Sequence, residues 1–153
     1  MTVTRKIWSR TSDGEAIYRY TITNASGASV VLCNYGAAIV GINVPDRAGR
    51  LSDVVLGYGK AENYFHDGPC FGKCPGRYAN RIAKGRFTLD GKVYELPVNN
   101  GPNHLHGGPD GFQNRVWESR KKQGAVEFKF VSEDGQMGYP GRLLVVAHYE
   151  WSE

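Results

Sequence analysis

The sequence predicts an all-β protein built as a sandwich of antiparallel sheets. Its 153 residues include 20 glycines and 12% aromatic residues, whereas runs of strong helix formers are scarce. Segments in which apolar and polar residues alternate are separated by short turn signals, a pattern typical of half-buried strands. With 41% hydrophobic residues the chain can bury a sizeable core, and we expect one domain over residues 1–153.

The first third of the chain predicts a β meander. AIYRYTITN alternates between Ile17 and Ile22, VVLCNYG follows a short polar stretch, and AAIVGINVPD ends at a turn formed by Pro45 and Asp46. After the meander, AENYF near Ala61 predicts no more than a short helical turn. These segments favour strands that follow one another in a sheet.

A β-hairpin is predicted at Asp90 and Gly91 in RFTLDGKVYEL. This pair favours the positive backbone angles of a two-residue turn, and alternating apolar residues flank it. Two later segments predict half-buried strands with one apolar face each. The apolar faces are Val126, Phe128 and Phe130 in AVEFKFVS, and Val145, Ala147, Tyr149 and Trp151 in RLLVVAHYEW.

The formal net charge of +4 is spread along the chain and does not predict a nucleic-acid partner. The one basic run, Arg120 to Lys122, lies in a predicted polar turn without alternating aromatic residues, which favours a solvated loop. The opening MTVTRKIWSR lacks the apolar core of a signal peptide, and no stretch approaches membrane-spanning length. We therefore expect no membrane partner and a cytoplasmic location, which agrees with the odd count of 3 cysteines.

The glycine-rich stretch GPCFGKCPG does not match a phosphate-binding loop, because Lys73 precedes Cys74 rather than Ser or Thr and no helix follows. A zinc site is an alternative that recruits the same region. Its candidate ligands are His66, Cys70, Cys74, His104 and His106. One residue between the two later histidines is a rare spacing for structural zinc, so we favour buried or loop thiols and expect no metal.

Two histidines lie one residue apart in GPNHLHGGPDGF, residues 101–112, a stretch too rich in glycine and proline for a helix. If the stretch is extended, His104 and His106 project to one face and could share a pocket or a metal ion. If it is a loop, one imidazole caps backbone groups and the other is exposed. The local sequence leaves both alternatives open.

Three blocks of the chain resemble the aldose 1-epimerases, also called galactose mutarotases. They are NYGAAIVGINVPDRAGRLSDVVLGY, PGRYANRIAKGRFTLDGKVYELPVNNGPNHLHGGPDGFQNRVW and FVSEDGQMGYPGRLLV, in the family's order and approximate spacing. The most specific parts are Asn80-Arg81 and His106-Gly107-Gly108. The resemblance implies a galactose mutarotase-like antiparallel β-sandwich, here incomplete. It also implies binding of a hexose such as galactose or glucose in an open cleft, and interconversion of its α and β anomers without a cofactor.

Matched residue by residue, the resemblance implies that Asn80, Arg81 and His106 bind the sugar. A guanidinium and a neutral imidazole can donate hydrogen bonds to sugar hydroxyls or to the ring oxygen. His104 matches no functional position of the family. The remaining candidates are expected to serve the structure, Arg77 and Arg86 as structural or exposed residues and Gly107 and Gly108 in the backbone turn.

The resemblance further implies a general acid histidine, another sugar-binding aspartate and a general base glutamate in the second half of a longer chain. The residues Glu133, Asp134, His148 and Glu150 lie in the wrong motifs to replace them. We therefore expect no catalytic residue in this chain, with His106 the sole candidate for a supporting role, and no activity of the chain alone.

On this interpretation the chain corresponds to the N-terminal half of the family fold. Sheets that lack their remaining strands expose apolar surface and unpaired edges. We expect such surface to cause self-association or pairing with a C-terminal half. The alternative function is a non-catalytic carbohydrate-binding or structural β module.

Overall fold

The computed structural model describes residues 1–65 and 67–152, and within these ranges the chain forms 12 strands and 4 short 3-10 helices. The first five strands are β1 (Thr2–Arg10), β2 (Ala16–Thr23), β3 (Ser29–Cys33), β4 (Ala38–Pro45) and β5 (Leu51–Asp53). The middle four are β6 (Arg81–Ile82), β7 (Arg86–Leu89), β8 (Lys92–Glu95) and β9 (His104–Leu105). The last three are β10 (Glu118–Lys122), β11 (Ala125–Ser132) and β12 (Leu143–Glu150). The 3-10 helices are Ala61–Tyr64, Ala83–Gly85, Phe112–Asn114 and Gln136–Gly138.

The strands form antiparallel sheets in which most neighbours are also neighbours in sequence. Strands β1 to β5 make one sheet in that order, and β10 to β12 make a second. Strands β7 and β8 form a hairpin, whose turn residues Asp90 and Gly91 have φ of 49° and 76°. The predicted meander, the hairpin and the helical turn at Ala61–Tyr64 are therefore confirmed.

The main core lies between the five-stranded and the three-stranded sheets. Tyr20 on β2 meets Phe128 on β11 edge to face, with ring centroids 5.8 Å apart. Both side chains are fully buried, as are Ile22, Leu32 and Val126 around them. The predicted apolar faces of β11 and β12 pack into this core, which confirms a sandwich of antiparallel sheets.

A second apolar cluster covers the opposite face of the five-stranded sheet. Its buried side chains include Val31 and Cys33 from β3, which is buried on both faces, and Ala61 and Tyr64 from the first 3-10 helix. Lys73 stabilises the loop that contains this 3-10 helix, because its ammonium group donates to the Tyr64 carbonyl and to the Asp67 carboxylate. Both side chains of this ion pair are fully buried. The five-stranded sheet is thus the middle layer of the molecule.

Two edge strands depart from the sequence-based expectations. The basic run Arg120 to Lys122 belongs to β10 and not to a loop, so that prediction is wrong, although the three side chains are exposed as expected. Strand β1 was not predicted at all. Both strands lie at sheet edges with mostly solvent-exposed side chains, so neither shows the apolar alternation that marks a half-buried strand. No helix in residues 1–65 or 67–152 is long and apolar enough to span a membrane.

Candidate functional site

The two-residue strands β6 and β9 bring the two most specific sequence blocks side by side. Arg81 pairs with Leu105, and Ile82 pairs with His104. One step beyond this ladder, the Asn80 backbone N–H donates to Nδ1 of His106 over 3.0 Å, and the His106 backbone N–H donates to the Asn80 carbonyl, also over 3.0 Å. The structure therefore brings Asn80, Arg81 and His106 together.

The backbone at this junction is strained. Asn80 and His106 have φ of 62° and 52°, in the left-handed region that residues with a β-carbon rarely adopt. Asparagine and histidine adopt this conformation more often than most residues, at a cost on the order of 1 kcal/mol each. The mutual hydrogen bonds of Asn80 and His106 hold both residues there. Strain maintained by specific contacts is typical of functional sites.

The hydrogen bond at Nδ1 fixes the tautomer of the neutral His106 ring. Because Nδ1 accepts from the Asn80 N–H, the ring proton of neutral His106 lies on Nε2. The ring is half-buried, and its Nε2–H has no partner among the residues the structure describes. His106 therefore presents a hydrogen-bond donor from a fixed position.

Two asparagines orient the exposed Arg81 side chain. Its Nε donates to Oδ1 of Asn100 over 2.9 Å, and its Nη1 donates to Oδ1 of Asn80 over 2.9 Å. Within the described parts of the chain, Nη2 is left without a partner. Asn100 was not predicted from the sequence, and the tandem asparagines of PVNNGPN are the signal that could have identified it. The neighbouring Asn99 holds β9 by bonding both backbone groups of Leu105, at 2.7 and 3.0 Å.

His104 lies in a different environment from His106. Its fully buried ring has Nδ1 2.7 Å from the Pro97 carbonyl and Nε2 2.8 Å from the Tyr139 hydroxyl. Strand β9 ends at Leu105, and the left-handed turn at His106 breaks the alternation. The interpretation in which both histidines share a pocket or a metal ion is therefore wrong.

The alternative zinc site is not assembled either. Among residues 1–65 and 67–152, no three His, Cys, Asp or Glu side chains come together as a metal ion would require, and the candidate His66 lies outside this described set. The Cys74 sulfur lies 3.2 Å from the Tyr149 hydroxyl. Burial raises the pKa of the Cys70 thiol, which favours its neutral form.

Arg77 and Gly107 hold the segments that carry the site. The Arg77 guanidinium donates to the backbone carbonyls of Ser132, Glu133 and Pro140 and to the Ser132 hydroxyl, at 2.8 to 3.1 Å. A β-carbon on Gly107, at φ 83°, would lie 1.5 Å from the Gly76 carbonyl oxygen. The expected structural role of Arg77 and backbone role of Gly107 therefore have a direct physical basis.

The acidic residues of the later motifs are engaged locally. Glu133 pairs with Arg142 at 3.3 Å, and the Asp134 carboxylate accepts from the Gly141 backbone N–H. On β12, His148 lies 3.8 Å from the carboxylate of Glu150.

Two solved structures share this sandwich. The galactose 1-epimerase from Lactobacillus acidophilus matches with a TM-score of 0.82 at 27% identity, over 97% of this chain and 44% of that one. An aldose epimerase homologue from C. elegans matches with a TM-score of 0.80 at 34% identity, over 85% of this chain and 40% of that one.

The family model for aldose 1-epimerases matches residues 18–153, so the chain belongs to the aldose 1-epimerase family. The galactose mutarotase of Bos taurus is 52% identical over 120 residues, which cover 78% of this chain and 35% of the relative. The galactose mutarotase of Sus scrofa is 44% identical over 149 residues, 97% of this chain and 44% of the relative. The chain thus spans less than half the length of these relatives.

Proposed function

We propose that this chain forms the sugar-binding wall of an enzyme that interconverts the α and β anomers of hexoses such as galactose and glucose. The observation that carries the proposal is the junction of β6 and β9. There a fixed imidazole Nε2–H of His106 and the Arg81 Nη2, which has no partner among the described residues, lie on adjoining segments tied through Asn80. Such donors bind sugar hydroxyls and the ring oxygen, and favour negative charge that develops there.

Anomer exchange requires two proton transfers in addition to binding. A base removes the proton of the anomeric hydroxyl, an acid protonates the ring oxygen, and the opened chain rotates and closes on the other face. In our proposal Asn80, Arg81 and His106 bind and orient the hexose, and His106 has a supporting role only. The acid histidine and base glutamate come from the remaining part of the family fold.

The edge of the three-stranded sheet supports pairing with that remaining part. Strand β12 bonds to β11 on one side and lies at the edge of its sheet. Its outward-facing Leu144 and Val146 are 56% and 47% exposed. Exposed apolar residues on an edge strand favour the addition of further strands. Because the relatives extend well past the matched length, we propose the C-terminal half of the family fold as the occupant.

Hexose titration tests the binding part of the proposal. Galactose and glucose are titrated into the chain, into Arg81→Ala, and into Arg86→Ala as a matched arginine control on the exposed face of β7. We expect saturable binding that Arg86→Ala retains and Arg81→Ala weakens about tenfold or more, because a charge-assisted hydrogen bond contributes roughly 1.5–3 kcal/mol. Absence of saturable binding to the unmodified chain would end this proposal.

Polarimetry and light scattering test the catalytic part. We expect the chain alone to leave mutarotation at its spontaneous rate, and addition of the unmatched part of the Sus scrofa relative to accelerate it and to form a one-to-one complex. Acceleration by the chain alone would place the acid or base within it and direct attention to His104 or His106. A stable homodimer that excludes the added part would favour self-association. Binding without acceleration in the complex would favour the non-catalytic carbohydrate-binding module.

The cysteines bear on location. Cys33, Cys70 and Cys74 are all free thiols. Free thiols are typical of a reducing compartment, and we propose a cytoplasmic location on this ground.

A further inference from the structure

We propose that Tyr139 is a positioning residue for the sugar site, because its phenol joins the two backbone segments that carry Asn80, Arg81 and His106. This inference rests on the proposed sugar-binding function of those three residues. Tyr139 itself lies outside the junction of β6 and β9, on the loop between β11 and β12. It therefore acts through other residues.

The hydrogen bonds of His104 establish the direction of the contact. The Pro97 carbonyl can only accept, so Nδ1 of His104, 2.7 Å away, carries a proton. In the neutral ring Nε2 is then an acceptor, and the Tyr139 hydroxyl donates to it over 2.8 Å. Burial raises the pKa of the Tyr139 phenol to about 12, which keeps the hydroxyl protonated at neutral pH.

His104 transmits this contact to one segment of the site. Its ring is fully buried and lies on the first residue of β9, two residues before His106. A β-carbon on Gly108 would approach Cε1 of His104 to 2.9 Å, so the backbone after His106 packs closely on the same ring. Fixing His104 therefore fixes the backbone on both sides of His106.

Tyr139 reaches the other segment through Arg77. The Arg77 guanidinium lies over the Tyr139 ring, 5.8 Å from its centroid, and donates to the carbonyl of Pro140. Arg77 precedes Asn80 by three residues, so these contacts constrain the segment that leads into β6.

The junction of β6 and β9 is short, so its geometry depends on tertiary contacts such as those of Tyr139. Strands β6 and β9 contribute two residues each, and a ladder of this length has little stability of its own. Nevertheless Asn80 and His106 keep left-handed backbone angles there. Tyr139, 6% exposed, contacts His104 on β9 and Arg77 on the segment that leads into β6.

The test is Tyr139→Phe, with Tyr94→Phe as the matched control. The first substitution removes only the hydroxyl that bonds to His104. Tyr94 stacks on Phe87 at 5.2 Å, and its hydroxyl has no hydrogen-bond partner in the described ranges. We measure hexose affinity and the imidazole tautomers by long-range proton–nitrogen NMR. We expect Tyr139→Phe to weaken hexose binding about tenfold and to perturb the His106 signals. A displaced His106 would lose about the free energy of one hydrogen bond to the sugar. Tyr94→Phe should leave both unchanged.

The unmodified chain provides an independent measurement if Tyr139→Phe does not fold. We expect His104 in the Nδ1–H tautomer and His106 in the Nε2–H tautomer. Finding His104 with its proton on Nε2 would overturn the inference, because Tyr139 could not then donate to it. Unchanged affinity and unchanged His106 signals in a folded Tyr139→Phe would also overturn it. Failure of the unmodified chain to bind hexose would reject the proposed function instead. The tautomers and the His106 signals would still test whether Tyr139 positions His106.

Discussion

Gly107→Ala should disrupt the proposed sugar site by a main-chain collision, whereas Gly101→Ala in the same loop should not. The β-carbon of Gly107→Ala would lie 1.5 Å from the carbonyl oxygen of Gly76 and 2.2 Å from its carbonyl carbon. Both contacts are to backbone, so no side chain can rotate away. Since real β-carbon contacts do not fall below 3.0 Å, the two segments must separate by roughly 1.5 Å. The moved segment includes His106.

The control isolates the effect of the collision from that of backbone angle. Gly101 has φ of 56° and Gly107 has φ of 83°, so alanine is strained at both positions. A β-carbon on Gly101 would meet no atom of the described residues within 4 Å. We expect Gly101→Ala to lower the free energy of unfolding by about 1 kcal/mol, the cost of left-handed alanine. Gly107→Ala adds an overpacking cost of about 1–3 kcal/mol.

Urea denaturation and hexose titration measure the two consequences. Gly101→Ala should retain hexose affinity within about twofold, whereas Gly107→Ala should lose most of it, because a displacement on the order of 1 Å misaligns the donors. Equal losses of unfolding free energy in the two variants would refute the collision argument. A stable Gly107→Ala variant with full affinity would refute the placement of His106 by this close approach.

Two further predictions concern buried charge and buried thiol. Asp67→Asn leaves the Lys73 ammonium buried without its charged partner and should cost about 3–5 kcal/mol of unfolding free energy in urea, whereas Lys73→Met combined with Asp67→Leu should cost less than either single change. Burial raises the pKa of Cys33 from its ordinary 9.0 to about 11, so the folded state holds the neutral thiol. Its stabilising contribution is complete below pH 9 and is lost as pH rises toward 11. The unmodified chain should therefore lose about 2 kcal/mol more across this window than Cys33→Ala, and equal losses would contradict the assignment.

Strands with one buried face could be predicted from the sequence, because their side chains alternate between core and solvent. Strands β2, β11 and β12 show this pattern and were found with their apolar faces in the core. Edge strands such as β1 and β10 could not be found in this way, because solvent reaches most of their side chains on both faces. Their place in the sheet is set by backbone pairing, which leaves little trace in residue type.

The contacts that hold the candidate site together also could not be predicted from the sequence. Its residues Asn80, Arg81 and His106 were identified through family resemblance, but the contacts that hold them join distant parts of the chain. Asn100 is 19 residues from Arg81, and Tyr139 is 35 residues from His104. Neither the left-handed angles at Asn80 and His106 nor the hydrogen bond from Tyr139 to His104 follows from local composition. Both depend on which segments become neighbours when the sheets assemble.

Two kinds of interaction in this site should respond differently to mutation. The exposed Arg81 side chain makes contacts that can be removed with little loss of packing, so Arg81→Ala should reduce hexose affinity and leave the unfolding free energy nearly unchanged. Tyr139 and Gly107 instead hold buried backbone, so their substitution should reduce both quantities together. If all three variants lowered affinity and stability in fixed proportion, the site would depend on global folding alone. If the backbone of the site is preformed and Arg81 only adds a binding side chain, Arg81→Ala should lower affinity without lowering stability. Gly107→Ala should lower both.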